Sequence, residues 1–300
     1  MRNYLCFDIG GTFVKYGVLD ADGEILLRGK YPTECHDLSR FMNDLTETVE
    51  KVRAGRELSG IAVSMAGILD VSRGFAYTGG AVRAIRDYPF AAELSRLSGG
   101  LPVAIENDAK AALLAEYWKG NLQGSENAVA FIIGTGIGGA ILANGRLLRG
   151  SHFFAGEFSY ILREKDEEIL LGDPRGLGMP GFLFRAEKEL PGHAPLTGET
   201  FFRLLADGSP EAKACLSEYA HALAVQLFNI NAVIDPERVV IGGGVSAQPA
   251  LIEAVVQAYA EVAAIMPEIP IPEILPCKFY NDSNLIGALY ALLTAGRPSA

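Results

Sequence analysis

The chain has 300 residues, 49% of them hydrophobic and 9% aromatic, which at about 150 residues per domain is enough for two domains with full cores. Its formal net charge is −10, which argues against a nucleic-acid binder, whose footprint is basic, and no apolar run reaches the ~18 residues that would span a bilayer. Cys6, Cys35, Cys215 and Cys277 are scattered with no Cys-x-x-Cys pair, the usage of reduced, mostly structural thiols in a cytoplasmic protein, and the opening residues run straight into a strand, so no signal peptide is expected.

Apolar patterning predicts strands over residues 4–9, 14–19 and 24–31, with Gly10-Gly11-Thr12 between the first two and the hairpin signal Asp22-Gly23 before the third. Leu38, Phe41, Leu45 and Val49 lie at helical spacing within 37–53. A short buried strand is expected over 60–65, then a loop over 66–70, a helix over 90–97, a strand over 101–105 and an Ala- and Leu-rich helix over 108–118 that ends at Gly120. Beyond residue 127 come strands over 128–133 and 140–142. The charged, Gly/Pro-rich stretch 163–187 reads as an irregular insertion. A long helix over 211–233, a strand over 238–241, a helix over 249–265, a strand near Ile274 and a helix from Asn284 complete the pattern. The alternation of strands and helices implies an α/β class.

One layout occurs twice. Leu5 to Ile9 leads through Gly10-Gly11-Thr12 into a second strand and the Asp22-Gly23 turn; Phe131 to Ile133 leads through Gly134-Thr135-Gly136 into a second strand and the Asn144-Gly145 turn. Glycine at such bends is expected to allow positive φ and lets N–H groups approach an anion with no Cβ in the way, and successive N–H groups form an anion-binding concavity. Thr12 and Thr135 add hydroxyl donors. Asp8 ends the first strand, where a carboxylate could hold Mg²⁺ through water, since that ion takes one or two carboxylates plus phosphates. The spelling Gly134-x-Gly136-x-x-Gly139 matches a dinucleotide fingerprint, but that motif needs a helix after the glycines and a strand follows here. A repeated bend of this kind points to two lobes that grip a polyphosphate, with ordinary glycine hairpins as the plainer alternative.

Three further places carry chemistry. Glu106-Asn107-Asp108 falls at a strand–helix junction, where Asn107 or Asp108 is either a helix cap or a group that acts on a sugar hydroxyl, as the base in phosphoryl transfer does. Glu157 sits among aromatics, where an unpaired charge is costly; it either bonds to backbone or bridges two sugar hydroxyls. Gly242-Gly243-Gly244 follows a buried strand, and a flat purine could lie against that turn. His36, His152, His193 and His221 are dispersed and suggest no metal or triad.

Taken in order, Phe7-Asp8-Ile9-Gly10-Gly11-Thr12, Glu106-Asn107-Asp108, Gly134-Thr135-Gly136-Ile137-Gly138-Gly139, Ala155-Gly156-Glu157 and Gly242-Gly243-Gly244 resemble the ROK family of sugar kinases and sugar-responsive repressors. The resemblance covers nearly the whole chain. It implies a two-lobe, actin-like (ribonuclease H-like) ATPase fold with ATP and sugar in the inter-lobe cleft, a smaller lobe over 1–118 joined by a last helix at about 284–300, and a larger lobe over 119–283. It further implies that Gly10, Gly11, Thr12, Gly134, Thr135 and Gly136 serve the ATP phosphates, beside the Mg²⁺ role read above for Asp8, and that Gly242, Gly243 and Gly244 back the adenosine. Asp108 would be the general base, with Gly67, Asn107 and Glu157 on the sugar, and the protein a cytoplasmic homodimer. Many members follow the Ala-Gly-Glu with a His and a Cys-rich zinc loop. Here Tyr160 takes the His position and 161–187 holds no Cys or His, so no zinc site is expected, because structural zinc needs three to four N/S ligands. The leading expectation is an ATP-dependent hexose kinase, with a non-catalytic sugar-binding regulator and a chaperone- or actin-type ATPase as alternatives.

Overall fold

Each of the two glycine-bend hairpins opens a five-stranded sheet, and the two sheets share one plan. The computed structural model describes residues 2–164 and 169–295. Unit 1 comprises Met1–Gly120, Arg149–Ala155 and Asp282–Ala300, and unit 2 comprises Asn121–Leu148 and Gly156–Asn281.

In unit 1, β1 (Asn3–Ile9), β2 (Phe13–Asp20) and β3 (Ile25–Pro32) form an antiparallel meander. α1 (Leu38–Arg53) starts at Asp37, whose carboxylate accepts the Arg40 N–H at 3.0 Å, satisfying one of the helix's orphan donors. Its apolar stripe, Phe41, Leu45 and Val49, is buried as the spacing requires. β4 (Gly60–Met65) pairs parallel with β1. A small antiparallel sheet of β5 (Leu69–Asp70), β6 (Phe75–Thr78) and β7 (Arg86–Tyr88) follows. Then come α2 (Phe90–Leu97), β8 (Val103–Asn107), parallel to β4, and α3 (Asp108–Lys119). The main sheet runs β3-β2-β1-β4-β8.

Unit 2 repeats this. β9 (Ala128–Ile133), β10 (Ile137–Ala143) and β11 (Arg146–Leu147) form the meander. After the two-stranded ribbon of β12 (Leu162–Glu164) and β13 (Ile169–Leu170) come α4 (Met179–Glu189), α5 (Gly198–Ala206) and α6 (Pro210–Ile234). β14 (Arg238–Gly242) pairs parallel with β9, and after α7 (Pro249–Ala263), β15 (Glu273–Pro276) pairs parallel with β14. The order is β11-β10-β9-β14-β15. Glu237 fastens the start of this sheet: its Oε1 accepts the N–H groups of Asn127 at 2.9 Å and Glu126 at 2.8 Å, and these two bonds hold its carboxyl below the usual carboxylate range.

α8 (Ser283–Thr294) belongs to unit 1 and packs on α3. The contact is close because a Cβ at Gly287 would run into the Ala111 carbonyl. At its start, Asn284 Nδ2 donates to Asp8 Oδ1 at 2.8 Å.

Three expectations need correction. The stretch 163–187, read as irregular, contains β13 and most of α4; its Met179-Pro180-Gly181 opening looked like loop punctuation, yet proline fits the first turn of a helix, where its missing N–H has no partner to lose. β10 begins at Ile137, so Gly138 and Gly139 are strand residues; a Cβ at Gly139 would overlap the Phe158 ring. Leu69 and Asp70, expected in a loop, form β5, and β6, β7 and α5 were not anticipated. Residues 165–168 of the expected insertion and 296–300 of the expected last helix lie outside the described residues.

Candidate functional site

In unit 1 the chemistry gathers where β8 runs into α3. Register places Asn107 beside Met65 at the end of β4. The loop after β4 carries Gly67 at φ +126°, where a Cβ would overlap the Thr78 carbonyl, so glycine alone fits. Gly67 O then accepts Asn107 Nδ2 at 3.2 Å, while Asn107 Oδ1 caps α3 by accepting the Lys110 N–H at 3.2 Å. One side chain thus ties a loop, a strand end and a helix start together. Asp108 fills the first turn of α3, half-buried, and its Oδ1 accepts the Ala109 N–H at 2.8 Å. A helix N-terminus favours an anion at that place.

Glu106, only 1% exposed, is held by Arg149 through two parallel bonds of 3.0 Å and 2.7 Å, and its Oε1 also accepts the Asn107 N–H at 3.0 Å. Bidentate guanidinium–carboxylate pairs of this kind fix geometry as well as charge. Phe153, in the same Arg149–Ala155 segment, stands beside Gly67, Glu106 and Asn107.

Across the sheet, Lys15, Asp8, Ser64 and Glu106 occupy one register row over β2, β1, β4 and β8, and partners in register share a sheet face. Asp8 is 8% exposed, with Lys15 Nζ 3.5 Å from its Oδ2. The bend Gly10-Gly11-Thr12 that follows β1 is exposed. Thr33 fixes it, its Oγ1 donating to Gly10 O at 2.7 Å and its N–H to Thr12 O at 3.1 Å.

In unit 2 the bend Gly134-Thr135-Gly136 joins β9 to β10. Gly134 N–H donates to Gly136 O, and Met179 N–H donates to Gly134 O, each at 2.9 Å, which ties the start of α4 to the bend. Beside them lies a hollow of about 460 Å³, lined by Gly134, Thr135, Glu187 and the apolar Met179, Pro180, Leu183, Phe184 and Leu196. Gly243, at φ +90°, would place a Cβ on the Ile133 carbonyl, so the Gly242–Gly244 turn sits against the end of β9. Glu157 is half-buried between Gly156 and the short turn Phe158–Tyr160, and Phe158 stacks on Phe131 with ring centroids 5.8 Å apart.

The expected positive φ is absent from the two bends: Gly10, Gly11, Gly134 and Gly136 all lie outside the left-handed region. Close approach accounts for two of them. A Cβ on Gly11 would stand 2.9 Å from Ala81 Cβ, and one on Gly136 3.1 Å from Gly172 O. Unit 1 thus brings Gly67, Asn107 and Asp108 into one group, and unit 2 brings the Gly134–Gly136 bend and the Gly242–Gly244 turn to the same end of β9. Arg149 and the apolar face of α4 escaped the sequence reading. Arg149 reads as a lone surface cation until its partner, 43 residues away, is known. The i, i+4 pair Phe182 and Ala186 was the available signal for α4.

The ROK family model matches residues 4–295. The chain is 33% identical over 293 residues to the beta-glucoside kinase of Klebsiella pneumoniae, covering 95% of this chain and 94% of that one. A solved structure of a ROK family protein from Streptococcus pneumoniae TIGR4 in complex with sucrose matches with a TM-score of 0.85 at 31% identity, over 98% of both chains. A ROK family glucokinase from Streptomyces griseus in complex with glucose and AMPPNP shares the fold, with a TM-score of 0.83 at 23% identity over 96% of this chain and 98% of that one. The architecture is therefore the two-lobe, actin-like ATPase fold that the motifs imply.

Proposed function

The chain belongs to the ROK family and is a carbohydrate kinase, and from that premise we propose that it transfers the γ-phosphoryl group of ATP to the 6-hydroxyl of a hexose or hexose derivative. The observation that carries this reading is the β8–α3 junction: a carboxylate, Asp108, held at a helix N-terminus directly after Asn107, which is itself bonded to Gly67. Asp108 takes the proton of the attacking hydroxyl as the new O–P bond forms and the bond from the γ-phosphorus to the bridging oxygen breaks, leaving a sugar phosphate and ADP. Positioning and charge neutralisation carry most such reactions, and Asn107, the backbone at Gly67 and Glu157 supply the positioning of the sugar's other hydroxyls.

In this reading the phosphates are held by the exposed Gly10–Thr12 bend of unit 1 and by the Gly134–Gly136 bend of unit 2, where Gly134 and Thr135 are exposed and Gly136 is half-buried. The apolar hollow on α4 takes the purine, with Gly242–Gly244 beside it; a structural relative that holds AMPPNP supports ATP as the donor. Magnesium suits Asp8, a carboxylate at the end of β1 whose oxygens are already oriented by Asn284 and Lys15 and which would reach the ion through water. When bound, that ion would neutralise charge on the β- and γ-phosphates.

ADP release measured across glucose, N-acetylmannosamine, mannose, fructose and cellobiose tests the proposal; stimulation by at least one sugar is expected, and none from any of them overturns it. Phe184, 56% exposed beside the hollow, gives a second check. Phe184→Ala is expected to raise KM for ATP about three- to tenfold, the range for losing an aromatic contact, with KM for the sugar unchanged. An unmoved KM for ATP removes α4 from the nucleotide site. The reading includes a homodimer working in the cytoplasm, for which light scattering on the purified chain is the first measurement. No helix among the described residues is long and apolar enough to cross a membrane.

A further inference from the structure

The register row Lys15, Asp8, Ser64 and Glu106 holds one polar group that the proposed phosphoryl transfer does not use. Ser64, on β4, is 0% exposed, and its Oγ meets no hydrogen-bond partner among the described residues. Burying a hydroxyl without a partner costs free energy, and a native fold that keeps one calls for a reason. Both neighbours of Ser64 on the same sheet face are carboxylates, Asp8 on β1 and Glu106 on β8. The adjacent row on that face, Cys6, Ala62 and Ala104, is small and offers no side-chain oxygen. α8 packs on β1, β4 and β8, and its Asn284 reaches Asp8 on this face. The only side-chain acceptors beside Ser64 in the row are therefore the carboxylate that Lys15 and Asn284 orient and the carboxylate that Arg149 holds.

A hydroxyl carries one proton, and ionised carboxylates only accept, so Ser64 can serve one of its two neighbours at a time. Adjacent strands lie about 4.8 Å apart, more than a hydrogen bond spans, and the bond forms by a small side-chain rotation or through one bridging water. Charge decides which neighbour wins. Asp8 Oδ1 accepts from Asn284 and Oδ2 faces Lys15; a cation reached through water would claim the lone pairs that remain. Glu106 Oε1 accepts from Arg149 and from the Asn107 N–H, while Oε2 accepts from Arg149 alone, so Oε2 keeps room for one more donor. We propose that Ser64 is a positioning residue that couples the two ends of the row: its proton is shared between the carboxylates until the lone pairs of Asp8 are taken, and is then committed to Glu106. The added bond steadies Glu106 and, through the Asn107 N–H, the side chain assigned to the sugar. Sugar is then held more tightly when the magnesium nucleotide is present, and by linkage the nucleotide more tightly when sugar is present. This rests on the kinase reading above.

Calorimetric titration reads the coupling without turnover: the Kd of the best sugar of the panel is measured alone and again with saturating AMPPNP and Mg²⁺. In the wild type the sugar is expected to bind at least about fivefold tighter with the nucleotide, the lower end of couplings between sites. In Ser64→Ala the ratio of the two Kd values is expected to fall close to unity, with both ligands still bound. The melting temperature is expected to stay the same or rise, because the variant removes a buried hydroxyl that has no fixed partner. Ser64→Thr keeps the hydroxyl and is expected to keep most of the ratio. Should Ser64→Ala fail to fold, Ser64→Cys is close in volume and only a weak donor, and is expected to lose the ratio in its place. A merely structural serine would move the melting temperature, or both affinities together, and leave the ratio alone. A ratio unmoved in the variant, or a wild type without coupling, overturns the role of Ser64 while phosphorylation of the sugar leaves the kinase standing; a wild type that binds neither ligand overturns both readings together.

Discussion

Asp108→Asn is expected to lower kcat by about 10²- to 10⁴-fold, the usual range for losing a general base, with the melting temperature nearly unchanged. The two halves of that expectation come from different residues. The cap of α3 is supplied by Asn107, whose Oδ1 accepts the Lys110 N–H, so the helix start survives the substitution. Asparagine keeps the shape of the side chain and can still accept the Ala109 N–H through its amide oxygen. What it lacks is a site for the hydroxyl proton. Steady-state kinetics with the best sugar of the panel, set beside a thermal melt, separates the outcomes. A slow, fully folded variant supports Asp108 as the base. Full activity in a folded variant moves the proton elsewhere and returns Asp108 to a purely local role in the first turn.

Sequence alone exposed those parts of the molecule whose signals are local. The first meander and the β9–β10 hairpin were legible because each strand pair is joined by a short glycine bend or an Asp-Gly turn, and β4, β9 and β14 because buried parallel strands read as apolar runs; the two-residue β11 beyond Asn144-Gly145 was not anticipated. The position of Asp108 in the first turn of α3 was legible from the polar Asn107-Asp108 pair between an apolar strand and an Ala- and Leu-rich helix. Asn107 was read as either a cap or a polar ligand; it caps α3 and also donates to Gly67, a bond that needs two segments 40 residues apart. The bends illustrate a right residue with one of its expected reasons missing. Glycine was expected there for backbone freedom and for open approach to an anion; the backbone freedom is not used, and a Cβ would crowd Ala81 at Gly11 and press on Gly172 O at Gly136, which no local pattern reveals. α4 was hidden by its own Pro-Gly opening. The stacking of Tyr77 on Phe153 needed β6 and the Arg149–Ala155 segment to be brought side by side, and nothing in the spacing of the two residues announces it.

Arg149→Ala is expected to destabilise the fold by about 3–5 kcal/mol, the cost of leaving one member of a buried ion pair uncompensated. The pair is asymmetric, and that makes the prediction specific. Glu106 is 1% exposed at its side chain, whereas Arg149 is 32% exposed. Removing the arginine strands a carboxylate that water cannot reach. Removing the negative charge, in Glu106→Gln, leaves a guanidinium that solvent still touches, and the amide can accept one of its bonds. That loss is expected nearer about 1–3 kcal/mol, the cost of an unsatisfied polar group. Urea melts of both variants read the difference. Equal losses, or a milder Arg149→Ala, would mean the pair is solvated enough for the charge not to matter. Activity supplies a readout that a merely structural pair would not move. Glu106 Oε1 accepts the N–H of Asn107, so a loosened Glu106 shifts Asn107, the residue proposed to orient the sugar beside Asp108. Arg149→Lys keeps the charge but loses the two-pronged geometry. With lysine in place, stability is expected to recover further than kcat/KM, because neutralising Glu106 needs only a cation, whereas holding Asn107 in register with the start of α3 needs both prongs of the fork.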